Sequence, residues 1–195
     1  GSEMCIRDRP CPDYNGLTFA ETFGDMAFTL YSHAVSLRDL GCTQSPMNAW
    51  ITLNGVETLP LRMERHVENA QKVAGFLQQH PSVEWVSYAG LSSSPYYQLA
   101  QKYLQGKAGS VFTFGIRGGY ESGLRLLEKV ELFSHVSNIG DSRSLILHPA
   151  STTHRQLSDE QRLTAGAGPE VIRLSVGIES AEDLIADLEQ ALEGL

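Results

Sequence analysis

The sequence predicts an α/β fold: long N-terminal helices, followed by a small α/β sandwich with helices over a four- or five-stranded sheet. Three observations carry this. Apolar residues recur at three-and-four spacing through much of the first 80 positions, which is the helical period. After Pro81 the pattern changes to short β-branched and aromatic runs separated by short helical stretches. The chain then closes with a strand holding one arginine, followed by a capped apolar-striped helix.

Taken in order, residues 1–9 are highly charged and follow no helical or strand period, so they read as a non-native or disordered leader. Pro10 to Gly16 holds two prolines and a glycine, which leaves little room for a hydrogen-bonded ladder. Thr18 to Leu40 reads as a helix with stripe Phe19, Phe23, Met26, Ala27, Leu30, Ala34, Leu37, ended by Gly41. Ser45-Pro46 restarts the chain into an apolar-rich piece through Leu53. A long helix runs from Leu59 to Gln79, its stripe being Leu59, Met63, Val67, Ala70, Val73, Ala74 and Leu77. Glu68 and Lys72 stand at the favourable i,i+4 order on its wet face. His80-Pro81 ends it.

Beyond Pro81 the expected strands are Val83–Tyr88, Ser110–Ile116, Val130–Val136, Ser144–Leu147 and Val171–Val176. Helices are expected at Tyr96–Leu104, Glu121–Lys129, from Ser158 to about Ala165, and after Ser180. Ser158 with Gln161 has the pattern of a capping box. The last helix carries the stripe Leu184, Ile185, Leu188, Ala191, Leu192.

Composition narrows the classes of function. The formal net charge is −8 over 195 residues, which disfavours a nucleic-acid partner. No run of about 18 apolar residues is present, so no helical membrane span is expected. No secretory leader is visible, and three sparse cysteines (Cys5, Cys11, Cys42) lack metal-ligand spacing. An odd, sparse set fits a reducing, cytoplasmic setting better than a disulfide framework.

Arg173 is the clearest candidate site residue. Successive side chains of a strand point to opposite faces. Ile172, Leu174 and Val176 therefore share a core face, while Val171, Arg173 and Ser175 share the other. A guanidinium held by a strand is a rigid fork that matches a carboxylate bidentately. It also suits a structural ion pair with a nearby Asp or Glu, and the residues alone leave both open. Other constellations read as structural. His148 and His154, six apart, fit no metal geometry and read as turn stabilisers. Glu64, His66 and Glu68 lack the H-E-x-x-H pattern and read as a solvated face. Ser151 has no nucleophile elbow around it. Gly115 to Gly119 lacks the Lys-Ser/Thr of a phosphate loop and reads as a strand-end turn.

Three segments carry a family resemblance. They are Ser45-Pro46-Met47-Asn48-Ala49-Trp50 with Glu57 to His66; Asn138-Ile139-Gly140-Asp141-Ser142-Arg143-Ser144 with the run on to His154; and Ile172-Arg173-Leu174-Ser175-Val176-Gly177-Ile178-Glu179. From about Pro10 to the C-terminus the chain resembles the pyridoxal-phosphate enzymes of cysteine and methionine metabolism, most closely the O-acetylhomoserine sulfhydrylases.

The resemblance implies the C-terminal part of a fold-type I transferase whose large cofactor domain is missing. Residues 10–80 would then be the end of that domain with connecting helices, and 81–195 a domain that holds the substrate carboxylate. Arg173 matches the family's carboxylate-binding arginine, and Asn138 the position that adds a contact to the same group. The family's Schiff-base lysine lies in a Ser-x-Thr-Lys motif. None of Lys72, Lys102, Lys107 and Lys129 follows one, so no catalytic or cofactor-binding residue is expected here, no metal, and no turnover by this piece alone. The implied parent would bind pyridoxal 5'-phosphate, form a homotetramer, and replace the acetate of O-acetylhomoserine by sulfide to give homocysteine. A related γ-lyase or γ-synthase, or a free-standing module that binds a carboxylate or a partner chain, are the alternatives.

Overall fold

A computed structural model describes residues 8–195. Most of the charged leader therefore lies outside the described residues. The chain divides into two compact units, the first ending at Gly55 and the second spanning Val56–Leu195.

The first unit is helical but broken. In place of one helix over 18–40 there are α1 (Phe19–Phe23), α2 (Ala27–Tyr31) and α3 (Arg38–Leu40), joined by a 3₁₀ turn at Gly24–Met26 and a π-type turn at Ser32–Leu37. The first break falls at Gly24, whose φ of +50° a helix interior excludes and only glycine adopts cheaply. Gly41 ends the segment in the left-handed region, as its position predicts. Phe19 is the buried anchor, edge-on to Tyr14 at 5.5 Å and to Tyr31 at 5.1 Å between ring centroids. Ser45-Pro46 starts α4 (Pro46–Glu57), with Ser45 Oγ accepting the Asn48 N–H.

The second unit is built on a five-stranded mixed sheet in the order β1-β2-β5-β4-β3. Its strands are β1 (Val83–Ser87), β2 (Val111–Ile116), β3 (Ser134–His135), β4 (Leu145–Leu147) and β5 (Val171–Ser175). Neighbours pair antiparallel except β3 with β4. Helices α5 (Leu59–Gln79), α7 (Gly119–Lys129) and α9 (Ala181–Leu192) contribute to one apolar core with the sheet. Ile172, Leu174 and Val176 are fully buried there with Phe112, Phe114, Ile116 and Ile146, as the alternation predicts. The remaining helices are α6 (Tyr97–Leu104) and α8 (Asp159–Thr164). Both predicted caps form: the Ser158–Gln161 capping box on α8, and Ser180 Oγ accepting the Asp183 N–H on α9.

Three further expectations change. The strand expected over 130–136 shrinks to two residues. Asp187 on α9 takes the N–H groups of Glu131, Leu132 and Phe133 at 2.9, 2.9 and 3.2 Å, so those donors never enter a ladder. The buried stripe of α5 starts at His66, whereas Leu59 and Met63 stay 42% and 37% exposed. Gly115 is no turn residue. It lies inside β2 under the Trp85 indole, and a Cβ there would come within 2.3 Å of that ring; the turn belongs to Gly118, with φ of +88°.

Candidate functional site

Arg173 sits in the middle of β5, half-buried, on the face opposite the helix-covered core. The register sets Thr113 of β2 and Leu147 of β4 on either side of it. Two residues along on the same face is Ser175, between Val111 and Leu145. Among the described residues Arg173 makes no ion pair and no side-chain hydrogen bond. A half-buried guanidinium without a counter-charge keeps its donors for something outside the strand.

Asn138 is exposed, and its Oδ1 accepts only the N–H of Ile139, at 2.9 Å. It makes no hydrogen bond to Arg173. Its turn is nevertheless brought to the same sheet face, because the Gly140 N–H donates to Ser175 Oγ at 3.2 Å.

The turn after β5 is braced by polar side chains from α5 and from the loop before β4, contacts that periodicity does not encode. His66 Nδ1 meets the Val176 carbonyl at 2.6 Å, which fixes the proton on Nδ1. Asn69 Nδ2 donates to the carbonyls of Gly177 and Glu179 at 3.0 and 2.8 Å. His66 is thus 1% exposed and belongs to the core, not to a solvated face: the helical period places it one position beside the apolar stripe, where the carbonyls just beyond β5 need donors. Across the turn, Glu179 accepts the Ser144 N–H at 2.6 Å and the Ser144 hydroxyl at 2.9 Å. Ser144 Oγ accepts the Gly177 N–H at 2.8 Å.

His148 is a turn stabiliser, as expected. Buried fully, it pairs Nε2 with the Pro169 carbonyl at 2.9 Å and Nδ1 with Ser151 Oγ at 3.0 Å. Burial pushes its pKa below the ordinary histidine value, partly opposed by the Pro169 carbonyl. Its ring packs on Gly123 of α7, where a Cβ would stand 3.0 Å from Nε2. Thr152 donates its hydroxyl to the His148 carbonyl at 2.8 Å, and Ser151 Oγ lies 3.2 Å from the same oxygen. His148 and His154 form no ligand set, and no metal-binding cluster exists among the described residues.

The lysines decide what cofactor chemistry this chain supports. All four are exposed. Lys72 pairs with Glu68 at 2.9 Å, Lys107 with Glu64 at 3.1 Å, Lys129 with the Glu193 carbonyl, and Lys102 lies over the Tyr103 ring. A Schiff-base lysine is commonly held in a desolvated pocket, and none of these four is buried. None of the four therefore offers a buried amine to pyridoxal phosphate. No helix is long and apolar enough to cross a membrane among the described residues.

Residues 17–193 match the Cys/Met metabolism PLP-dependent enzyme family. The chain is 48% identical over 192 residues to O-acetyl-L-homoserine sulfhydrylase 1 of Thermus thermophilus, covering 98% of this chain and 46% of that one. It is 50% identical over 195 residues to the O-acetyl-L-homoserine sulfhydrylase of Leptospira meyeri, covering 95% and 44%. A crystal structure of an O-acetylhomoserine (thiol)-lyase from Campylobacter jejuni superposes with a TM-score of 0.83 at 44% identity, over 96% of this chain and 44% of the other. That structure carries N'-pyridoxyl-lysine-5'-monophosphate at position 205, outside the part matched here. The chain spans about half the length of the curated relatives it matches. It belongs to the Cys/Met metabolism PLP-dependent enzyme family.

Proposed function

We propose that this chain is the substrate-carboxylate-holding part of an O-acetylhomoserine sulfhydrylase, in which sulfide replaces acetate to give homocysteine. The carrying observation is Arg173: a half-buried guanidinium on a sheet face, without an ionic partner among the described residues. Two relatives near 50% identity bear the sulfhydrylase name. In this reading Arg173 takes the α-carboxylate of the amino-acid substrate in a bidentate pair. Asn138, on a turn tethered to the same face, swings its amide toward that carboxylate when substrate arrives. Residues 10–80 are the end of the cofactor domain with its connecting helices, and 81–195 the carboxylate-binding domain. Pyridoxal phosphate, held by the preceding domain, supplies the electron sink; the residues here bind and orient. The working enzyme is a cytoplasmic homotetramer.

The test is steady-state kinetics with O-acetylhomoserine on the full-length enzyme and its Arg173→Ala and Arg173→Lys variants. A charge-assisted pair contributes roughly 1.5–3 kcal/mol, so alanine lowers kcat/KM at least about tenfold. Lysine restores only part, because a point charge cannot reproduce the fork. Cofactor occupancy stays as in wild type. An unchanged kcat/KM in the alanine variant overturns the reading.

A further inference from the structure

The geometry points to Glu179 as a positioning residue of the carboxylate site: through Ser144 it clamps the loop that carries Asn138 onto the end of the strand that carries Arg173. This rests on the reading of Arg173 as the carboxylate-binding residue.

The clamp is a small closed ring. Both oxygens of one carboxylate engage a single residue, Oε1 taking the Ser144 N–H at 2.6 Å and Oε2 the Ser144 O–H at 2.9 Å. The serine hydroxyl, its proton given to Glu179, accepts the Gly177 N–H at 2.8 Å. The Ile178 N–H reaches the Ser142 carbonyl at 2.9 Å, and the Gly140 N–H reaches Ser175 Oγ at 3.2 Å. Every link joins the 140–144 loop to residues 175–179, immediately beyond Arg173. The two backbones touch at Gly177, where a Cβ would stand 2.4 Å from the Ser142 carbonyl oxygen and 2.6 Å from the Arg143 carbonyl carbon.

Ser144 is fully buried, so none of these three hydrogen bonds has water as an alternative. A carboxylate accepts twice; an amide has one acceptor and one donor. In Glu179→Gln the oxygen can keep the Ser144 N–H, but the amide nitrogen then faces a hydroxyl that needs an acceptor. The loop loosens at the residue nearest β4, and the Asn138 turn drifts from the Arg173 face. What is lost is ground-state binding geometry, which raises KM and leaves kcat.

The experiment uses the full-length holoenzyme with O-acetylhomoserine, and the variants Glu179→Gln, Ser144→Ala, the double variant, and Arg173→Ala as the reference arm. Glu179→Gln and Ser144→Ala each raise KM about tenfold, with kcat within about twofold and the cofactor absorbance unchanged. The double variant is no worse than either single, because both break one ring. Ser144→Ala removes only a hydroxyl and carries the test if Glu179→Gln fails to fold. If Arg173→Ala raises KM while neither ring variant does, Glu179 is merely structural and this assignment falls alone, whatever happens to the melting temperature. If Arg173→Ala leaves KM unchanged, the carboxylate reading falls and takes this assignment with it.

Discussion

At the residue scale, buried polar side chains do more than the apolar ones to shape the site. His148 shows the electrostatic consequence. Its folded pKa lies below the ordinary value near 6.5, because burial disfavours the imidazolium. The unfolded chain therefore binds more protons than the folded one just below that value. Stability is full above the unfolded pKa and is lost as pH falls below it. His148→Gln removes this component. The melting temperature of wild type should fall more than that of the variant between about pH 7.5 and about pH 5.5. Parallel losses in the two proteins contradict the assignment. Arg173 was legible from strand alternation alone as the one charged residue on a β5 face, although its role as a ligand or an ion-pair partner was not. Glu179, Ser144 and Asn69 were not legible in function. Their partners are brought together by the turn after β5, and no local spacing encodes a contact spanning 35 residues or 110.

At the element scale, periodicity located the core strands and α5, whose bounds match the expected Leu59–Gln79. Alternation told β5's two faces apart. It failed where side chains compete with the ladder. Residues 131–133 are apolar enough for a strand, yet Asp187 captures their N–H groups. Asp187→Ala strands three donors, and the cost should be about 3 kcal/mol in a denaturant titration. A midpoint equal to wild type would show that water replaces the carboxylate freely. The caps are smaller and more regular. Ser180→Ala should cost about 1 kcal/mol, since the Asp183 N–H loses its acceptor at the start of α9. A melting temperature unaffected by Ser180→Ala would mean that Glu182 and Asp183, in the first turn, suffice to hold that end.

At the scale of the whole molecule, the sheet of the second unit presents one half-buried arginine on the face away from its helices. Its four lysines are exposed, each occupied by a surface partner. Incubating the isolated chain with pyridoxal phosphate and reducing with borohydride should give no stoichiometric adduct at any one lysine. Such an adduct, found by mass spectrometry, would contradict the division of labour. The helix α4 leaves Met47, Trp50, Ile51 and Leu53 each more than half exposed. Exposed apolar surface of that kind drives association. Sedimentation of the isolated chain should show mass rising with concentration, against which a monodisperse monomer at high concentration would count. The fold class was readable because periods of 3.6 and 2 each dominate one stretch of the chain. The breaks in residues 19–40 were not, because a helical stripe continues through Gly24 while the backbone does not.

The central claim is that Arg173 keeps its guanidinium for the substrate's α-carboxylate. The most direct measurement is a crystal structure of the full-length holoenzyme with O-acetylhomoserine, or with an unreactive amino-acid analogue that carries the same α-carboxylate. The account predicts that carboxylate in two parallel N–H···O contacts with Arg173, at about 2.7–2.9 Å. An Arg173 instead paired to an Asp or Glu of the protein, with the substrate carboxylate held elsewhere, would contradict it.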